Sequence, residues 1–375
     1  AKERGIYMLF SPIQLYGSNW PDALDDTTAP PRGFGRRFGK GRMGTDPRAL
    51  AAQVNYLRQI LNHVNPYTHI ALKDEPFIIF IELVNEPWHH PEDLQGSIHY
   101  INALTAAVRS TGCQKLIFYN VSQDFRIGAA IRQSQAQGIT FGWYPTGLNA
   151  GHELEGNYLR GADVYPDMLR PELARLPRIV YEFDSPDLRT GTMYPAMART
   201  FRAVGTQFAA MFAYDMLATA SRNLGWQTHY LNLVYTPRKA MSAIIAAEAM
   251  RRLPRLQSYG PYPQNTRFGD FHISYDGDLG ELVARDAFMY TSSTSATDAR
   301  DQPRLADDRH AARPGPHVHR AADHRRQRAD RERRGRPVHG HTGRLRLARR
   351  RACGRRDAAG NNRPARLQGV PRSAQ

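Results

Sequence analysis

Residues Pro76 to Pro87 read Pro-Phe-Ile-Ile-Phe-Ile-Glu-Leu-Val-Asn-Glu-Pro. An apolar, β-branched run of this length between prolines predicts a buried strand over Phe77–Val84. Pro87 cannot donate to a ladder and ends it. The run therefore delivers one carboxylic acid, Glu86, to a strand end. In a barrel of parallel strands that end is where acid-base chemistry gathers.

Working outward, strand and helix patterns alternate. A strand over Gly5–Pro12, with Ile6, Tyr7, Met8, Leu9 and Phe10 as a buried run, precedes a long loop from Gln14 to Gly44. Asp46 and Pro47 form a helix start, cap and first-turn proline. Leu50, Val54, Leu57, Ile60 and Leu61 then recur at helical spacing. After the Phe77–Val84 strand come a helix over Ile98–Arg109, a strand over Lys115–Val121 and a helix near Phe125–Gln135. A strand over Ile139–Tyr144 leads into an irregular stretch, Pro145–Arg175, with one short helix. A strand over Arg178–Phe183, a helix near Tyr194–Val204 and a strand over Gln207–Tyr214 follow. The last helix runs from Pro237, capped by Thr236, to about Leu253.

Strands joined by helices imply a parallel sheet with right-handed crossovers. Near-continuous apolar runs fit strands buried on both faces. A doubly wound sheet would carry its phosphate loop after the first strand. Gly39-Lys40-Gly41-Arg42-Met43-Gly44 matches that spacing but follows a loop, so it reads as flexible chain. The fold class expected is α/β, a (β/α)8 TIM barrel over residues 1–255. Asp270–Tyr275 and Leu282–Tyr290 read as short strands with Asp-Gly and Leu-Gly turns, the start of a small all-β domain over 256–295.

Composition bounds the partners. The formal net charge is +16 over 375 residues, which alone would suit a nucleic-acid partner. Its location argues otherwise. Residues 296–375 hold 22 Arg, no Lys and eight Asp or Glu, so the rest of the chain is nearly neutral. No aromatic residue follows Tyr290. Such a segment has too little apolar surface to offset chain entropy and is expected to be a disordered Arg-rich tail. Arg, Ala, Gly and Pro all have GC-rich codons, so the tail also reads as out-of-frame translation of a GC-rich gene. Binding nucleic acid through it is disfavoured, because lysines and interleaved aromatics are missing. Cys113 and Cys353 are the two cysteines, too few for a disulfide framework or a metal cluster. No metal or cofactor is expected. No apolar run reaches membrane-span length, and the opening Ala-Lys-Glu-Arg is not a signal peptide.

A second strand also ends on a carboxylate: Arg178-Ile179-Val180-Tyr181 runs into Glu182. Its separation from Glu86 corresponds to three βα units of about 32 residues, an ordinary size for this architecture. Glu86 and Glu182 would then face each other across the barrel mouth. Two carboxyl groups flanking a sugar-sized cleft are what glycosidic hydrolysis requires, one protonated and one ionised.

These residues carry a resemblance. Leu83-Val84-Asn85-Glu86-Pro87, with Tyr181-Glu182-Phe183 on a later strand, resembles clan A of the glycoside hydrolases. The stretch from Asn65-Pro66-Tyr67-Thr68 through Leu72-Lys73-Asp74-Glu75-Pro76 to Pro87 is similar to family 5, the cellulase and mannanase family. The resemblance spans about residues 5–253. It implies a retaining hydrolase of β-glucan or β-mannan, with Glu86 as acid/base and Glu182 as nucleophile. It implies that Asn85 binds the sugar 2-hydroxyl and that Tyr144 hydrogen-bonds the nucleophile. Tyr214 stands near the place where the clan often has a sugar-stacking Trp. An extracellular or periplasmic location is expected on the same ground. Counting strands from Asn85-Glu86-Pro87 as strand 4 leaves strands 1 and 2, and the clan's substrate-site Arg, without a counterpart. The chain is therefore expected to be a fragment of a barrel. Trp20 and Trp88 are the subsite candidates, with Tyr16, Phe34, Phe38, His89, Trp143 and Trp226 as further aromatic faces. His152, Glu153 and Glu155 read as solvated surface. Two other readings stay open: an inactive relative that binds carbohydrate, and nucleic-acid binding through the tail.

Overall fold

The computed structural model describes residues 2–14, 33–122, 124–148, 152–214, 216–220 and 231–296. The candidates Tyr16, Trp20 and Trp226, and all but the first residue of the Arg-rich tail, lie outside them.

The first strand is β1 (Met8–Phe10). Two helices follow, α1 (Phe34–Phe38) and α2 (Pro47–Asn62). The chain continues through β2 (Ile78–Glu82), α3 (Leu94–Ser110), β3 (Leu116–Asn120), α4 (Gly128–Gln133) and β4 (Gly138–Trp143). Next come β5 (Arg178–Phe183), α5 (Met193–Ala203) and β6 (Phe208–Met211), then α6 (Leu217–Ala220) and α7 (Pro237–Arg252). Strands β1 to β6 form one sheet in sequence order, and every neighbouring pair is parallel. The sheet curls, so that Phe80 of β2 meets Phe208 of β6 edge-on at 5.9 Å. A curled, six-stranded parallel sheet backed by helices fits a partial (β/α)8 barrel.

The helices form where caps and periodicity require. Asp46 accepts from the Arg48 amide at 2.9 Å, and Pro47 opens α2. Its buried face is Ala49, Gln53, Leu57 and Leu61, one stripe at i, i+4 spacing. Gln53 sits in that stripe because it is satisfied: it donates to the carbonyls of Met43 and Ala49 and accepts from Tyr100. Helix α3 begins earlier than its apolar pattern suggests, since Asp93 accepts from the Gly96 amide and caps it. Thr236 makes no side-chain cap to α7. Its hydroxyl instead closes a turn with Asn232.

Three expectations change. Ile6 and Tyr7 are exposed, because the strand starts only at Met8 and they precede it; among the described residues β1 pairs with β2 alone. The region before β5 holds three short 3-10 turns, Leu159–Ala162, Pro166–Leu169 and Pro171–Leu173, in place of one helix. Leu282–Tyr290 is a hairpin. Four strands, β7 (Arg267–Phe268), β8 (Phe271–Ser274), β9 (Leu279–Ala284) and β10 (Ala287–Tyr290), form an antiparallel sheet in the order β10-β9-β8-β7. Ala284 pairs with Ala287 across Arg285-Asp286, a turn without the glycine that usually signals one. This sheet packs against α5 and α7. Arg199 of α5 anchors it, lying over the Phe268 ring at 5.3 Å and donating to the Asn265 carbonyl.

Candidate active site

The curled sheet encloses side chains in layers. Leu9, Phe80, Phe118 and Ile179 pack as an apolar floor. Two residues further along the strands the interior turns polar. Glu82 of β2 is fully buried and accepts from Ser11 at 2.8 Å, from Asn120 of β3 at 3.1 Å and from the Thr140 hydroxyl of β4. Above that layer lie the strand ends.

Glu86 sits just past β2. The Asn85 amide donates to the Ile13 carbonyl at 2.8 Å, and Gln14 and Asn85 form a parallel bridge. The strand end is thereby tied to the chain leaving β1, and Asn85 is buried. Glu86 itself has φ +45°, a left-handed conformation that few residues other than glycine adopt. Strain of this kind concentrates at functional sites.

Glu182 reaches the site through an irregularity in β5. Phe141 pairs with Val180, but Gly142 pairs with Glu182, so Tyr181 is an extra residue. The ladder to β6 skips at the same place, between Val180 and Phe183. A bulge re-aims side chains that strict alternation would send to opposite faces. Here Tyr181 donates to Glu86 Oε1 at 2.9 Å, while Glu182 is the hydrogen-bond partner of Tyr144. A Cβ on Gly142 would lie 3.2 Å from Glu182 Cγ and 3.4 Å from the Tyr181 hydroxyl. Glycine at that position leaves room for both.

The electrostatics follow from burial and shared negative charge. The Tyr181 phenol is pushed far up by burial, then by Glu182, Glu86 and Glu82. Tyr144 is raised by burial and by Glu182. Both stay protonated donors. Glu82 is pushed up to about 7, because burial outweighs its three donors and Glu182 adds a like charge.

A cleft of about 460 Å³ opens beside Glu86, lined among others by Trp88, Lys40, Ser122, Asp124 and Arg126. Trp88 is 59% exposed there, so an apolar face is presented to whatever enters. A second hollow, about 600 Å³, lies on the β1 side between Phe10, Ile13, Phe34 and Tyr56. It is mostly apolar and holds none of these carboxyl groups. Of the two, only the first borders a candidate carboxyl group, Glu86.

The structure brings Glu86, Glu182, Asn85, Tyr144 and Trp88 to one end of the sheet. Tyr214 is 61% exposed just past β6 and bridges Leu231. Trp143 is unavailable as a sugar platform. It points to the helix layer, stacked on Tyr165 at 4.9 Å and edge-on to Phe201. His89 is likewise taken up by packing: it bonds the Val121 carbonyl at 2.9 Å, and burial lowers it to about 4. Phe34 and Phe38 pack on each other. Among the described residues no group of three or more His, Cys, Asp or Glu is poised for a metal, and no helix is long and apolar enough to cross a membrane.

Sequence reasoning missed Glu82 and Tyr181. Glu82 had a signal, an acid at the same parity as Phe80 inside a buried strand. Tyr181 had none, because a bulge leaves no local mark in Arg-Ile-Val-Tyr-Glu-Phe.

No family model matches the chain. It is 24% identical over 136 residues to mannan endo-1,4-beta-mannosidase 3 of Arabidopsis thaliana, covering 36% of this chain and 33% of that protein. It is 26% identical over 133 residues to mannan endo-1,4-beta-mannosidase 4 of Solanum lycopersicum, covering 35% and 32%. The matches thus span about a third of the length of these curated relatives. Among solved structures, an endo-1,4-beta-D-mannanase from Thermotoga petrophila is 16% identical, with a TM-score of 0.49 over 68% of this chain and 77% of that one. A glycoside hydrolase family 5 mannosidase from Rhizomucor miehei is 12% identical, with a TM-score of 0.43 over 58% and 63%. The chain resembles the clan A glycoside hydrolases, and its curated relatives are glycosidases by name.

Proposed function

We propose that this chain is a retaining glycoside hydrolase that cleaves β-mannan-type polysaccharide by double displacement. The observation that carries the reading is a pair of carboxyl groups each held by a tyrosine hydroxyl. Tyr181 from the β5 bulge donates to Glu86, and its neighbour Glu182 is bonded to Tyr144. Two strand ends are so joined into one constellation.

In this mechanism Glu86, as acid, protonates the glycosidic oxygen while the Glu182 carboxylate attacks the anomeric carbon. The carbon–oxygen bond breaks, and a glycosyl ester of Glu182 forms. Glu86, now a base, takes a proton from water, whose oxygen attacks the same carbon and releases Glu182. Two inversions give net retention. Asn85 would bind the 2-hydroxyl, and Trp88 would offer a face to the leaving sugar. Mannan is preferred over glucan because the curated relatives are mannan endo-1,4-beta-mannosidases. A polymeric substrate makes an extracellular or periplasmic site of action the expectation.

A second reading rests on the sheet edges. Among the described residues strands β1 and β6 each have one neighbour, and open edges are costly in a barrel. A protein that binds mannan without turning it over would share the cleft. Reducing-sugar release from β-mannan and β-glucan separates the two, with product anomers followed by NMR. Glu182→Ala should abolish release. Activity that survives this change, or an inverted first product, rules out the nucleophile assignment.

A further inference from the structure

We propose that Glu82 is a positioning residue for Glu86 and Glu182, a third carboxyl group that clamps four strands and places a titratable charge in the layer beneath the pair. The inference rests on the hydrolase reading for its activity readout.

The geometry is a closed set. Ser11 follows β1, Glu82 ends β2, Asn120 ends β3 and Thr140 lies in β4. All three neighbours donate to the one carboxyl group, Ser11 to Oε1 and the other two to Oε2. Asn120 is fully buried in this role. An apolar side chain would leave the three donors buried and unpaired, and an amide would set an NH2 group among them, so the converging donors call for a carboxyl group. Burying an acid is costly, and its charge sits within the sheet interior, close enough to bear on the strand ends.

The carboxyl group also communicates upward. Among the described residues the ionisable groups most strongly tied to it are Glu182 and Tyr181, both from β5. The facing residues of β1, β3 and β4 are Ser11, Asn120 and Thr140, which carry no charge. Strand β6, Phe-Ala-Ala-Met, has no ionisable side chain. Tyr181 in turn donates to Glu86. Burial holds Glu82 at about 7, so it exchanges its proton in the neutral range. Below that range it is a neutral acid. Above it an anion stands under the site, and an anion favours the protonated state of its neighbours. The proton on which turnover depends is then held to higher pH.

The test uses the full chain with carboxyl-13C glutamate, followed by NMR titration, together with the pH profile of kcat/KM on β-mannan. One carboxyl signal should titrate near neutrality and vanish in Glu82→Gln. In that variant the alkaline limb should move to lower pH by about half a unit or more, with the acid limb in place. The signal assigned to Glu182 should lose its inflection in the neutral range. Thr140→Val removes a donor that favours the anion, so the Glu82 signal should titrate higher and the alkaline limb should move the same way by less. If Glu82→Gln does not fold, Thr140→Val decides alone. A uniform fall in activity with both limbs unmoved, or no neutral titration, overturns the proposal. Absence of activity on every glycan tested would count against the hydrolase reading; the carboxyl titrations would still decide this one.

Discussion

The Tyr181 hydroxyl donates to Glu86 Oε1 at 2.9 Å, although Tyr181 stands beside Glu182 in β5 and Glu86 lies past the end of β2. One residue of bulge makes this possible. It lets adjacent residues serve opposite members of a carboxyl pair. Tyr181→Phe removes the hydroxyl and keeps the ring. A hydrogen bond to a carboxyl group is worth about 1.5–3 kcal/mol. If it is stronger in the transition state, kcat/KM should fall roughly ten- to hundredfold. Thermal unfolding should move little, since the ring still packs. Steady-state kinetics paired with a melting curve checks both; unchanged kinetics would remove Tyr181 from the site.

Gly142 is the counterpart on β4. Its missing side chain leaves the space that Glu182 Cγ and the Tyr181 hydroxyl occupy. Gly142→Ala puts a methyl group 3.2 Å from Glu182 Cγ and in ordinary contact, 3.4 Å, with the Tyr181 hydroxyl, so Glu182 must give by a few tenths of an ångström. On the proposed role of Glu182 a shift of this size should lower kcat by roughly three- to tenfold, less than the hundredfold of a full ångström, with KM nearly constant. Wild-type kcat in Gly142→Ala would show that the pair tolerates the shift.

Much of this was legible in the chain, and what was not has a physical reason. The apolar runs Phe77–Val84 and Arg178–Phe183 mark β2 and β5, so Glu86 could be placed past the first and Glu182 near the end of the second, although β2 itself stops at Glu82, before Pro87. The Asp46-Pro47 start of α2 was readable because its cap is local. The β5 bulge was not, because it is set by pairing with β4 and β6 rather than by residue type. Trp143 looked available for a sugar because it adjoins Tyr144. Alternation turns it to the helix side, where Tyr165 and Phe201 cover it. The exposed Ile6 and Tyr7 show the same limit from another side: an apolar run does not reveal where pairing with β2 begins, and here it begins at Met8.

Behind Glu182 the loop is fixed by a buried ion pair. Lys239 of α7 lies 3.0 Å from Asp184, both almost without exposure. Asp184 also accepts from Tyr194 at 2.5 Å and from the Ser185 amide at 2.7 Å. Lys239→Met would leave a carboxylate buried without its cation, which costs about 3–5 kcal/mol. Urea unfolding should show a loss of that order. Asp184→Asn combined with Lys239→Met should recover part of it, because no unpaired charge remains. A loss under about 1 kcal/mol in the single variant would mean that the pair contributes little.

Glu82 makes a separate demand on stability. Its carboxyl group is raised from 4.5 to about 7 on folding. Between those values the folded state holds a proton that the unfolded chain has released. The stabilisation is therefore complete below the ordinary carboxylate range and is lost as pH rises through about 7. A shift of this size corresponds to a contribution on the order of 3 kcal/mol. Glu82→Gln carries no proton to lose. Relative to the variant, the parent chain should thus be more stable at pH 5 than at pH 8 by an amount of that order, measured by urea unfolding at both. Parallel stabilities across that range would mean that Glu82 ionises in the folded chain much as it does in water.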